Sequence, residues 1–222
     1  MKYVYNIIKS RRKTLAIEVK RPNLVLVRAP YRCSTKRIEN LLSANKQWIT
    51  KRLEYYRNNP GLPEATFICG SDVWLLGESY TVTAQPGDKR VIRLHDSELQ
   101  FSKPDYQNGD EVSALQRWYR NFAHQYFIER ADTLHRNSPV KLPPCHCKVR
   151  KMKRQWGNCS RHGEIKLNLA LIQYPPECID YVIFHEMCHL LHFNHSAAFY
   201  SLLQQLCPDW RALKQQLETF SP

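Results

Sequence analysis

The chain has no run of about 18 uninterrupted apolar residues, so no segment of it is suited to crossing a membrane as a helix. Its opening, MKYVYNIIKSRRK, lacks the long apolar stretch and small-residue cleavage site of a secretory signal. A cytoplasmic location with no membrane partner is the expectation. Methionine is scarce: Met1, Met152 and Met187 are the whole complement in 222 residues. The eight cysteines (Cys33, Cys69, Cys145, Cys147, Cys159, Cys178, Cys188, Cys207) are scattered, and a chain long enough to bury a good core needs no disulfide staples. Cys145-His146-Cys147 is too tightly spaced for a zinc knuckle and reads as a loop after Pro143-Pro144.

Acidic residues are missing from one end. Residues 1–60 hold fifteen Lys and Arg against three acids, Glu18, Glu39 and Glu54, an excess of +12. The other 162 residues hold 18 basic against 17 acidic side chains, close to neutral. A patch this lopsided raises the local concentration of any polyanion, so nucleic acid or another polyanion is an expected partner of the N-terminal region. A solvated surface that keeps the protein soluble is the plainer alternative. No RNA-binding signature or recognition-helix motif accompanies the charge. Tyr3, Tyr5, Tyr31 and Trp48 are read as core or turn residues in preference to stacking platforms.

The residue pattern gives an α+β chain. Residues 2–8 and 14–28 alternate as strands do, with a turn at Arg21-Pro22-Asn23. From Ser34, a suitable N-cap, apolar residues recur at helical spacing to Tyr56, and Asn59-Pro60-Gly61 then breaks the chain. Strand signals return at Phe67–Gly70, Val73–Leu76, Tyr80–Ala84 and Val91–Leu94. A long helix is expected from Asp110 to Arg136, its aromatic stripe serving as core. Two strands near Cys147–Arg154 and Glu164–Leu171 precede a helix opened by Pro175-Pro176 and running to about Phe193. A last helix follows Ser196 and is interrupted at Cys207-Pro208-Asp209. The expected division is a basic, strand-rich region over 1–108 and a catalytic domain over 109–222.

The chemistry is concentrated in His185-Glu186-Met187-Cys188-His189. Histidines four apart on a helix present two imidazoles on one face. Glu186, rotated by about 100°, can stand beside a metal without ligating it. The pattern predicts a zinc site in which Glu186 is the general base for zinc-bound water. For the third ligand, His195 is preferred over Asp209 and Glu218, the only carboxylates after Glu186. Metzincin proteases use the same six-residue step from His189 to His195, but with glycine where His192 stands and a methionine turn downstream, and no methionine follows Met187. With no glycine there, Asn194 is expected to take the left-handed conformation that turns His195 back, and Ser196 to cap the next helix. His192 is read as a helix-end histidine meeting the helix dipole.

Gln155-Trp-Gly-Asn-Cys159, Gly163-Glu-Ile-Lys-Leu-Asn168, the His-Glu motif, Asn194-His-Ser196 with Phe199, Pro208-Asp-Trp210, and upstream Trp74-Leu-Leu-Gly77 and Tyr80 together resemble the YgjP-like metallopeptidases. The resemblance covers most of the chain. It implies a zincin-like catalytic domain, distantly akin to the SprT and WLM proteases, with His185, His189 and His195 holding Zn2+ and Glu186 catalytic. A peptide or protein is then the substrate, bound as an added strand along Glu164–Leu171. Two alternatives remain. Some relatives in this broad group are described as nucleotide pyrophosphatases, and Lys148, Arg150, Lys153 and Arg154 form a stretch suited to a triphosphate. A nucleic-acid-associated protein with a vestigial zinc site is the other, and the intact Glu186 speaks against it.

Overall fold

The computed structural model describes residues 4–20, 24–58, 62, 64–153 and 155–219. The expected turn at Arg21-Pro22-Asn23 and the break at Asn59-Pro60-Gly61, with Tyr3 and Arg154, lie outside the described residues. The fold is α+β, with six helices and three small sheets among the described residues. It divides into two compact units, Met1–Gly61 and Leu62–Pro222. The strands between residues 72 and 103 bury their apolar side in the core of the larger unit.

In the smaller unit β1 (Tyr5–Ser10), β2 (Ala16–Lys20) and β3 (Leu24–Pro30) form a sheet of order β1-β3-β2, with β3 antiparallel to β2 and parallel to β1. Val25, Val27 and Ala29 point inward from β3 at the two-residue period of a strand. They pack with Ile38, Leu42, Ile49 and Leu53 from two helices, α1 (Thr35–Ala44) and α2 (Lys46–Asn58). Ser34 caps α1 as expected, accepting from the Arg37 N–H. The single expected helix is broken at Asn45, whose side-chain amide (2.8 Å) and backbone N–H (3.1 Å) both donate to the Leu41 carbonyl and cap α1 there.

In the larger unit β4 (Asp72–Leu75), β5 (Glu78–Pro86), β6 (Val91–His95) and β7 (Glu98–Lys103) form a sheet of order β4-β5-β7-β6. Leu76 and Gly77 make the two-residue turn between β4 and β5, both at positive φ (52° and 90°), as a hairpin turn of this length requires. Leucine tolerates that conformation because its backbone is held elsewhere. The Leu76 and Gly77 N–H groups donate to the carbonyls of Ile172 (2.7 Å) and Gln173 (3.2 Å), in the 3-10 turn Leu169–Gln173. The hairpin tip thereby braces the segment that feeds the helix of the site.

That helix, α4 (Pro176–Cys188), starts with proline at its first turn and is apolar nearly all round, as suits the centre of a core. It packs against α3 (Asp110–Arg136), α5 (Ala197–Leu206), α6 (Trp210–Thr219) and a three-stranded sheet of β8 (His146–Arg150), β9 (Gly157–Cys159) and β10 (Glu164–Asn168). Leu115, Tyr119 and Phe127 face this core from α3. No helix among the described residues is long and apolar enough to cross a membrane.

One polar link fixes α4 against α3. Arg130 grips Asp180 with two parallel hydrogen bonds, Nε to Oδ1 at 2.7 Å and Nη2 to Oδ2 at 2.5 Å. Because the arginine is partly exposed, water screens the pair and its worth stays near the lower end for bidentate contacts. Arg130→Ala should lower the unfolding free energy by about 1 kcal/mol in denaturant titrations, while Arg130→Lys, which loses the fork but keeps the charge, should fall between.

Candidate metal centre

His185 sits in the last turn of α4, and His189 is its C-cap with φ −69° and ψ −12°, still helical enough to stack over His185. Their ring centroids are 5.1 Å apart. The helix does not run to Phe193. Beyond Cys188 the chain tightens, with Leu190 N–H donating to Met187 O (3.0 Å) and Leu191 N–H to Cys188 O (3.2 Å). These three-residue bonds turn the chain without glycine. Asn194 does not take the left-handed form: the described non-glycine residues at positive φ are Leu76, Asp96 and Asp105. A tight bond from Ser196 N–H to Asn194 O (2.9 Å) completes the reversal instead. Ser196 caps α5 as expected, its hydroxyl accepting from Phe199 N–H.

The reversal brings His185, His189 and His195 together, with one ligand-capable atom from each within 4.8 Å of the others. His185 Nε2 and His195 Nε2 are 3.2 Å apart. Two nitrogens bound at 2.0–2.1 Å to one tetrahedral ion would be separated by about 3.3 Å, so the spacing fits a metal of that bonding radius. The protonation states suit it too. Burial, helped by the neighbouring imidazoles, holds His185 down to about 4, so it is neutral at ordinary pH. Burial also lowers His189. His189 Nδ1 lies 3.0 Å from the His192 carbonyl, which as an acceptor fixes the proton on Nδ1 and leaves the Nε2 lone pair free to ligate. His192 therefore serves the site through its backbone.

Phe199 is the floor of the group. It is fully buried, and its ring centroid lies 5.0, 4.8 and 4.7 Å from those of His185, His189 and His195. At His185 this packing orients the ring, whose Nδ1 is buried with no partner among the described residues.

Glu186 follows His185 on α4 and is buried against β9. Burial alone pushes its carboxyl up to about 8. Gly157 is what admits it: a Cβ there would meet Glu186 Oε1 at 2.7 Å and Cγ at 2.8 Å. A glycine inside a strand marks such a close approach, and this role was readable only once its partner was known. The segment leading into β9 is held by Asn168, itself fully buried. Its side-chain amide donates to the carbonyls of Met152 (2.9 Å) and Gln155 (2.9 Å), and its oxygen accepts from the N–H groups of Met152 and Ala170.

The expected docking strand is misplaced. β10 is paired on both sides, with β8 and β9, so it has no free edge. The edge belongs to β9. Asn168 N–H donates to Trp156 O (2.8 Å) and Ser160 N–H to Glu164 O (2.9 Å), so the alternation of an antiparallel ladder turns the backbone groups of Gly157 and Cys159 away from β10. Asp209 is exposed and is not in the histidine group, and the side chain of Glu218 lies outside the described residues. Lys148 is tied with Lys166 to Glu164, whose carboxyl they hold down to about 2.

A family model described as YgjP-like, metallopeptidase domain, matches residues 13–220. No curated protein matches the chain. Among solved structures, the crystal structure of the metallopeptidase zymogen of Pyrococcus abyssi abylysin is similar, with 21% identity, coverage of 43% of this chain and 91% of that one, and a TM-score of 0.36.

Elemental analysis should find about one divalent metal per chain. His195→Ala should lose most of it and Asp209→Ala none; the reverse result would replace His195 as ligand. The raised Glu186 carboxyl has a consequence for stability in the chelator-treated protein. The folded state holds this proton more tightly than the unfolded chain, so the contribution is full below the ordinary glutamate value and is lost as pH rises toward about 8. The lowered imidazoles of His185 and His189 act in the opposite sense below the ordinary histidine value of 6.5, so denaturation midpoints of the metal-free protein should fall between about pH 6.5 and pH 8, and Glu186→Gln should flatten that fall.

Proposed function

The chain belongs to the YgjP-like family of metallopeptidase domains, and we propose that it is a zinc-dependent peptidase in which Glu186 is the general base. The observation that carries this reading is one juxtaposition: three converging imidazoles, a buried carboxyl on the same helix, and an open strand edge against that carboxyl. His185, His189 and His195 would hold the ion, which leaves zinc as the best match by donor type and geometry. Zinc bound by three neutral imidazoles would polarise a carbonyl oxygen and bring the pKa of a bound water to about 7.

The chain's own groups supply the rest. An extended peptide pairs with the outward N–H and C=O groups of Gly157 and Cys159 as an added strand. Gly157, with no side chain, keeps that edge clear beside Glu186. Glu186 takes a proton as the water oxygen bonds to the carbonyl carbon, then delivers it to the departing amide nitrogen as the C–N bond breaks. With a dication held by the three imidazoles, that carboxyl would come down from its raised, metal-free value, so that it could take the proton in its ionised form. Recognition through the peptide backbone favours unfolded or extended segments over compact folds. Lys148, engaged by Glu164, is poorly placed to serve a triphosphate.

The test is purified full-length protein loaded with zinc, assayed on an unfolded protein and on nucleoside triphosphates. Peptide cleavage is expected. Glu186→Gln should lower it by at least about a hundredfold while keeping zinc, since general acid-base catalysis supplies 10²–10⁴. Gly157→Ala should do nearly the same by displacing Glu186, again with zinc retained. Hydrolysis of triphosphates alone, abolished by Glu186→Gln, would overturn the peptidase reading in favour of a phosphohydrolase.

A further inference from the structure

The smaller unit carries a feature unconnected with the metal centre. The buried side of α2 is Ile49, Leu53 and Tyr56. Trp48 would be expected to join them, yet it is 48% exposed. At 100° per residue Lys51, Arg52 and Tyr55 fall on the same flank as Trp48, so α2 presents a stripe of aromatic, cation, cation, aromatic at successive turns. Lys51 and Arg52 are exposed and Tyr55 half-buried. The Arg52 guanidinium lies over the rings of Tyr55 and Tyr56, 5.3 and 4.7 Å from their centroids, which pre-orients its flat face. Four cations (Lys46, Lys51, Arg52, Arg57) and one acid (Glu54) occur along the helix. Tyr31, 62% exposed and next to Arg32, adds a second uncovered aromatic to the unit.

Two independent facts converge. The unit's first 60 residues carry an excess of +12, which attracts a polyanion, and the stripe leaves a large flat ring in water among those cations. A purely electrostatic surface has no use for an exposed tryptophan. A duplex keeps its base faces covered, whereas a single strand offers both phosphates for Lys51 and Arg52 and open base faces for Trp48. We propose that the exposed flank of α2, centred on Trp48, Lys51 and Arg52, is a docking surface for single-stranded nucleic acid. A base stacks on the Trp48 indole, and the two cations contact the flanking phosphates. The surface discriminates little between sequences, because stacking accepts any base face and the two cations are engaged with phosphates.

Full-length zinc-loaded protein titrated against a fluorescent oligothymidylate or oligouridylate of about 15 nucleotides, and against a duplex of equal length, tests this by anisotropy. The single strands are expected to bind more tightly than the duplex at moderate salt. Trp48→Ala should weaken single-strand binding by about tenfold and barely alter duplex binding, and Trp48→Phe should restore most of the loss. Lys51→Gln with Arg52→Gln should reduce the slope of log affinity against log salt by about 1.4, from two phosphate contacts at about 0.7 each. Circular dichroism and metal content should be unchanged in all three variants, since the substituted side chains are exposed. The proposal is overturned by absence of binding even at low salt, by a duplex that binds as tightly as the single strands, or by Trp48→Ala binding as the parent does. Binding of an acidic protein in place of the oligonucleotides would likewise assign the face to another partner.

Discussion

The structure turns on a carboxyl group that is almost wholly buried. Glu186 lies on a helix that is otherwise apolar on nearly every side, and among the described residues no hydrogen bond or ion pair offsets its burial. A group in that position is costly when ionised unless a cation stands nearby, and the three adjacent imidazoles supply a place for one. The carboxyl also needs room, which comes from deleting a side chain on the facing strand at Gly157. The Asn168 side chain then holds the loop leading to that strand through three hydrogen bonds, and the Leu76-Gly77 turn braces the segment just before α4. These contacts come from segments far apart in the chain, and each limits how far the carboxyl can move.

The reversal after His189 shows how the same geometry is reached without the residue that makes it easy. Glycine at position 192 would let the helix end abruptly in a left-handed residue. With histidine there, the chain instead closes successive three-residue turns and a final short bond at Ser196. The tight turn gives something back: the His192 carbonyl, freed from the helix ladder, accepts from His189 Nδ1 and sets the tautomer that ligation requires. Phe199, delivered by the first turn of α5, then fills the space beneath all three rings.

What could be read from the chain beforehand was the part governed by local periodicity. The long helix Asp110–Arg136 and the proline start of α4 follow from spacing within one element, as does the pairing of His185 with His189. The caps at Ser34 and Ser196 are equally local. Pairing between strands is not local, and there the reading failed. β9 is three residues long and looked like a connection, so β10 was given the open edge that β9 has. β7 was missed because Glu98–Lys103 carries only Leu99 and Phe101 inward, too short an alternation to stand out among polar neighbours. The break at Asn45 was invisible for the opposite reason, since the apolar rhythm of α1 resumes in α2 after one residue. Trp48 was assigned to the core because its spacing allowed it. Spacing gives the angle around a helix, but not how wide the covered arc is.

The two proposed surfaces bear on each other through selectivity. Strand addition at β9 reads the backbone of a peptide, which every peptide shares, so it supplies affinity with little discrimination. An open edge of this kind would act on any extended segment that reached it. Selectivity then has to come from what brings the substrate near. A second surface on the same chain converts an encounter in solution into one at raised local concentration, with a gain that needs no new contact at the metal centre. A unit whose charge and exposed aromatic favour a single nucleic-acid strand would concentrate the peptidase on proteins that share that strand. On that argument the lopsided charge of the first 60 residues belongs to substrate choice, and the near-neutral remainder of the chain to bond cleavage.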